Sequence, residues 1–178
     1  SKMEVNIEES NGKKGVLTAE PLERGFGLTL GNAIRRILLS SLQGAAITSV
    51  KIKGVVHEFS TIPGVKEDLT DILLNLKTVA VKVHSPGLKK MYLKSNGSGE
   101  LRAGNFETDS ETEIMNPDQL IMTLDSNADI EIEANVETGK GYVSAEVAED
   151  ENKIIGEIKL DAMFSPVVKT SYKIENSR

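Results

Sequence analysis

The stretch EPLERGFGLTLGNAIRRILLSS, residues 20–41, decides the fold. From Leu30 the residues Ala33, Ile34, Ile37 and Leu38 recur at the helical period and form one apolar stripe. Counted at about 100° per residue, Leu39 falls on nearly the opposite side with Asn32, Arg36 and Gln43, while Leu42 and Arg35 lie between. The helix therefore has two sides to satisfy. No acidic residue stands three or four positions from Arg36, so the counter-charge for this guanidinium is expected from another chain. Thr29 is expected to cap the first turn and Gly44 to supply the left-handed residue after the last. Arg24-Gly25-Phe26-Gly27 then reads as a tight connection. Gly25, Gly27 and Gly31 are spaced GxGxxxG and follow Pro21, which does not fit a phosphate-binding loop after a strand. On periodicity alone, a wide helix buried by its own domain is the plainer reading of this segment.

Outward from the helix the pattern changes several times. Residues 5–19 carry a strand pair around Asn11-Gly12, and 46–56 read as a strand from their β-branched content. A second helix is marked by Val65, Leu69, Ile72, Leu73 and Leu76, with Glu67, Asp68 and Asp71 early and Lys77 at its end, which suits the helix dipole. Leu74 is off the stripe. Beyond Lys77 nearly everything alternates with period two, predicting strands at 79–83, 91–95, 114–115, 121–124, 130–136, 142–147, 154–162 and 170–174. Turns are expected at Ser85-Pro86-Gly87, Asn96-Gly97-Ser98-Gly99, Thr138-Gly139 and Glu149-Asp150-Glu151-Asn152. The chain is thus α+β, mostly antiparallel sheet with two principal helices, and it holds no internal repeat.

Composition narrows the function classes. The 178 residues suffice for a real core, and without cysteine neither a disulfide framework nor a thiolate zinc site can form. No apolar run approaches the roughly 20 residues of a membrane span, the start does not read as a signal peptide, and a reducing cytoplasm is the expected location. A net charge of −6 argues against holding nucleic acid by phosphate neutralisation alone. The histidines, His57 and His84, sit in no HExxH or comparable pattern, and on a strand His57 and Glu58 would face opposite ways. The acidic clusters Glu67-Asp68 and Glu149-Asp150-Glu151 suit a helix first turn and a hairpin tip better than a metal site. No serine lies in a GxSxG elbow, so no catalytic residue, cofactor or metal site is expected.

The segments LGNAIRRILLSS (30–41), GVVHEFSTIPGVKED (54–68) and ILLNLK (72–77) lie in one ungapped run, followed in order by GKGYVSAE (139–146), IGEIKLDAMFSPV (155–167) and YKIE (172–175). Together they resemble the amino-terminal domain of the alpha subunit of bacterial DNA-dependent RNA polymerase, over nearly the whole chain. That resemblance implies a dimerisation domain, 1–43 and 166–178, interrupted by a β-rich insert domain, 44–165. It also implies a non-catalytic scaffold that forms a homodimer and then recruits the beta and beta-prime subunits. Leu30, Ile34, Ile37 and Leu38 would serve the sheet and the dimer neighbour. Arg36 and Leu39, extended by His57, Glu58 and Phe59 of the HEFST run, match positions used against beta. Lys77, Lys140, Tyr142, Leu160 and Val167 would face beta-prime. The family's domain continues beyond the point matching Arg178 with a strand and a long helix, so a homodimer weakened by truncation is expected. Direct DNA binding and membrane contact are not. The alternative is a stand-alone β-rich module that binds a peptide or small ligand at an exposed sheet edge.

With no nucleophile, metal set or phosphate loop, the isolated chain is expected neither to hydrolyse nucleoside triphosphates nor to incorporate them. Turnover by a highly purified sample, abolished by His57→Ala, would contradict this.

Overall fold

The computed structural model describes residues 2–9, 13–23, 25–148 and 154–175, apart from the side chains at 147, 148, 167 and 168. Strands β1 (Lys2–Glu9) and β2 (Lys14–Ala19) lead to helix α1 (Phe26–Ser40) and strand β3 (Gln43–Ile52). Helix α2 (Leu69–Lys77) precedes β4 (Val81–Val83), β5 (Lys89–Asn96), β6 (Gly99–Arg102), β7 (Thr112–Ile114), β8 (Leu120–Leu124), β9 (Asp129–Lys140) and β10 (Tyr142–Val143). A one-turn helix α3 (Ala145–Ala148), then β11 (Glu157–Lys159), β12 (Ala162–Met163) and β13 (Val167–Glu175), complete the order. Every strand pairing among the described residues is antiparallel, giving the expected α+β architecture.

The central sheet is built on β3 and β9, which pair from Gln43↔Lys140 to Ile52↔Ile132 with a bulge between Ile47 and Ser49. β5 lies beyond β9, and the other edge of β3 is shared by β4 at Ala45 and β11 at Ser49 to Lys51. Alternation along β9 buries Ile130, Ile132, Ala134 and Val136, while Glu131, Glu133 and Asn135 take the other face. α2 closes the apolar side with Leu69, Ile72, Leu73 and Leu76, each contributing about 2 kcal/mol of burial. Leu74 is exposed, as its place off the stripe predicts. Ile121 and Met122 of β8 complete this core, and the Asn75 amide donates to the Ile121 carbonyl at 3.0 Å.

A second sheet, ordered β13-β1-β2, carries α1 across β13 and β1. The buried residues of the helix are Gly27 and Gly31. A Cβ at Gly31 would meet the Tyr172 ring at 2.6 Å, and one at Gly27 would meet Ile174 at 3.0 Å. Backbone and sheet are therefore in near contact, and Tyr172 donates its hydroxyl proton to Asn32 Oδ1 at 2.8 Å. Met3 and Val5, paired with Ile174 and Tyr172, are buried on the same face.

This packing corrects several expectations. The helix begins three residues before Thr29, after Gly25 at φ +88°, because Gly27 must already be helical to seat on the sheet. Phe26 and Gly27 belong to the helix instead of a connection, and Arg24 lies outside the described residues. Ser41 is the C-cap, its N–H bonding the Ile37 carbonyl at 2.9 Å, while Gly44 is part of β3. Gly44 is small because the Phe164 carbonyl oxygen occupies the space its Cβ would need, and Gly139, expected in a turn, lies in β9 against the Phe164 ring. The strand expected at 142–147 is β10 followed by α3, and that at 154–162 is split into β11 and β12. α2 starts at Leu69, since Val65 instead bridges to Leu124. β6 went unforeseen because it opens at a glycine of the 96–99 turn. The turns at 11–12 and 149–152 lie outside the described residues.

The two sheets meet where α1 ends. Gly141, at φ +64°, sits over Ser40 and accepts the Phe164 N–H at 2.7 Å, and the Ser165 hydroxyl donates to the Leu38 carbonyl at 2.7 Å. Gly44→Ala is expected to destabilise the fold by about 2 kcal/mol, through overpacking against backbone. Gly15→Ala, where the added methyl meets open space, should stay within about 0.5 kcal/mol in chemical denaturation.

Candidate functional site

With Gly27 and Gly31 against the sheet, the rest of α1 is divided by helical geometry. Leu30, Ile34 and Leu38 are half-buried beside the glycines. Ile37 stands on the outer shoulder, 54% exposed, in line along the helix with Phe26 at 60%, about three turns earlier, which the sequence pattern had placed in a connection. Arg36 lies about 180° from Gly27 and is exposed, with Leu39 half-buried on the far flank. Among the described residues no ion pair or hydrogen bond involves the Arg36 guanidinium, and its main-chain carbonyl accepts the Ser40 hydroxyl. One helix thus presents an apolar shoulder and an uncompensated cation.

A second surface is the turn that holds His57, Glu58 and Phe59, all exposed. The Phe59 N–H donates to His57 Nδ1 at 3.2 Å and the Ser60 N–H to the His57 carbonyl at 3.1 Å. Those bonds fix the turn and leave Phe59 81% exposed, an arrangement that wastes apolar surface unless a partner covers it. Among the described residues no ring contact, ion pair or hydrogen bond joins this turn to α1.

The third surface is organised by a residue that no sequence pattern announced. Asp161, between β11 and β12, accepts the Ala145 N–H on Oδ1 at 2.7 Å and meets the Lys77 ammonium with Oδ2 at 3.4 Å. The Tyr142 phenol stands beside the same carboxylate and interacts with it electrostatically. The Ala145 N–H holds Asp161 below its ordinary 3.8, opposed by partial desolvation and reinforced by Tyr142 and Lys77. The Tyr142 phenol is raised, by partial desolvation and then by the neighbouring carboxylate. Lys77 and Tyr142 are therefore brought together, and Tyr142 pairs across β10 and β12 with the exposed Met163. Lys140 is exposed at the end of β9. Leu160 is corrected from a surface residue to a core one. It is 3% exposed and belongs to the central cluster, because its N–H bonds the Thr48 carbonyl at 2.9 Å and turns the side chain inward. The Val167 side chain lies outside the described residues.

Other charged groups have structural roles. Glu67 accepts the Thr123 N–H and hydroxyl at 2.7 and 2.8 Å, tying the segment before α2 to β8. His84 Nε2 lies 3.6 Å from the Glu113 carboxylate at the surface. Among the described residues no group of three or more His, Asp or Glu side chains is placed to hold a metal, and no helix is long and apolar enough to cross a membrane.

Residues 50–165, well over half of the chain, match the family described as the RNA polymerase Rpb3/RpoA insert domain. The chain belongs to this family. It is an alpha-type RNA polymerase domain, a member of a polymerase complex, and its partners are other polymerase subunits. The match begins within β3 and ends at Ser165, so it takes in the central sheet and α2 and leaves α1 and the β13-β1-β2 sheet outside.

Because the folded state lowers the proton affinity of Asp161, its anchoring of α3 is complete above the unfolded value near 3.8 and is lost as the pH falls through the lower folded value. The Ala145 amide resonance is expected to hold its position from neutral pH to about 4 and to move below it. Movement centred near pH 6 would contradict the assignment.

Proposed function

We propose that this alpha-type domain is a non-catalytic assembly platform of a bacterial, cytoplasmic RNA polymerase, which forms a homodimer and then recruits the beta and beta-prime subunits. The observation that carries the reading is the exposed side of α1, where an apolar shoulder and an unpaired arginine stand on a helix seated backbone-close on its own sheet. A shoulder that runs along the helix from Phe26 to Ile37, with Leu30, Ile34 and Leu38 behind it, suits an isologous contact with the same helix of a second copy. Arg36 and Leu39 are assigned to beta, since a guanidinium fork pairs with a carboxylate while its stem packs on apolar surface. His57, Glu58 and Phe59 add to the beta contact, with Phe59 as anchor.

Lys77, Tyr142 and Lys140 are assigned to beta-prime. The division into a discontinuous dimerisation domain, 1–43 and 166–178, and an insert domain, 44–165, is supported by the two separate sheets and by the glycine-lined junction at Ser40 and Gly141. Chemistry in the complex belongs, in this reading, to the large subunits, and the chain contributes binding surface only.

Arg36→Ala is expected to weaken capture of beta while leaving thermal stability within about 1 kcal/mol, the range of a non-core substitution. Loss of folding with unchanged capture would reject the assignment.

A further inference from the structure

We infer that Asp161 is a positioning residue for the beta-prime contact, holding Lys77 and Tyr142 as one preformed unit without itself reaching the partner. The inference rests on the assignment of Lys77 and Tyr142 to beta-prime. One carboxylate joins groups from three separate segments: it meets the Lys77 ammonium at the end of α2, accepts the Ala145 N–H at the start of α3, and has the Tyr142 phenol of β10 beside it. Its own backbone is fixed on both sides, by the inward Leu160 and by Ala162, 3% exposed and paired with Val143. Asp161 is therefore anchored, and Lys77 and Tyr142 are the long side chains set beside it.

Free lysine and tyrosine side chains at a surface lose rotamer freedom when a partner immobilises them. Here Asp161 imposes that loss during folding, so a partner meets the Tyr142 ring already oriented beside Met163 on one face of the β10-β12 ribbon. The exposed side of that pair is apolar and aromatic, with Tyr142 58% and Met163 44% exposed, while Val143 lies on the other face. Lys77 sits at its edge with its charge already half-answered by Asp161. Such a face suits an apolar segment of a large subunit better than a strongly acidic one. The same geometry explains why the role of Asp161 is not legible in the sequence, since it exists only once α2, β10 and α3 have converged.

The test is capture of beta-prime by a preformed complex of this chain with beta, measured by surface binding, with capture of beta followed in parallel. Asp161→Ala should weaken beta-prime binding about tenfold, the scale of ordering two side chains, and leave beta binding within about twofold. Asp161→Asn keeps an acceptor for the Ala145 N–H and should lose less, roughly threefold, so the inference stays testable if the alanine variant folds poorly. In a double-mutant cycle, Lys77→Ala should add little to Asp161→Ala, because the pair acts as a unit. Full additivity in that cycle, or a folded Asp161→Ala chain with unchanged beta-prime binding while Lys77→Ala and Tyr142→Ala weaken it, would overturn the positioning role alone. Unchanged binding in both Lys77→Ala and Tyr142→Ala would remove the surface assignment, and the inference with it.

Discussion

The pairing of β3 with β9 is the constraint on which the rest of the molecule depends. β3 leaves α1 after a two-residue turn and runs into the central core, and β9 returns along it to Lys140, directly opposite Gln43. The end of α1 and the start of the β10 ribbon are thereby held at the same end of one ladder. Gly141 under Ser40, Gly44 against the Phe164 carbonyl and the Ser165 bond to Leu38 lock that end from three sides. Each contact tolerates little extra volume, and a close-packed junction of this kind transmits displacement instead of absorbing it. The candidate surfaces on α1 and on the ribbon are accordingly fixed relative to each other by backbone. The proposed platform role, in which several partners meet separate faces, needs that property.

Much of the central unit was legible because its physics is local. Ile130, Ile132, Ala134 and Val136 alternate with polar residues and are buried, and Leu69, Ile72, Leu73 and Leu76 keep helical spacing and are buried too. The ends of elements were less legible. Thr29 has the chemistry of a cap and Gly44 that of a helix stop, but tertiary contacts decide otherwise: Gly27 is drawn into the helix by Ile174, and Gly44 into the sheet by Phe164. The apolar stripe of α1 has the helical period, but Ala33 and Ile37 on it are exposed, and the buried line is the i, i+4 glycine pair, with Leu30, Ile34 and Leu38 only flanking it. Glycine carries no hydropathy signal, so periodicity points to the leucines and misses the contact.

The candidate site divides in the same way. Arg36 could be picked out because the absence of an acidic neighbour is visible in the sequence, and the turn at His57 because its residues stand in the HEFST run that carries the family resemblance. Asp161 stands in such a run too, IGEIKLDAMFSPV, but its part could not be read there, because the residues it joins are 84, 19 and 16 positions away, at Lys77, Tyr142 and Ala145. Leu160 was misjudged for a related reason. Either of two neighbours on an irregular connection can face out, and the hydrogen bond from Leu160 to Thr48 decides which.

Hydrogen exchange of the chain, alone and with beta bound, tests the central claim most directly. Added protection should fall on α1, residues 26–40, and on the turn at 57–61, with the outer face of β5 around Lys90, Tyr92 and Lys94 unchanged. Protection confined to β5 and β9, with α1 exchanging as in the free chain, would contradict the reading of α1 as the docking helix.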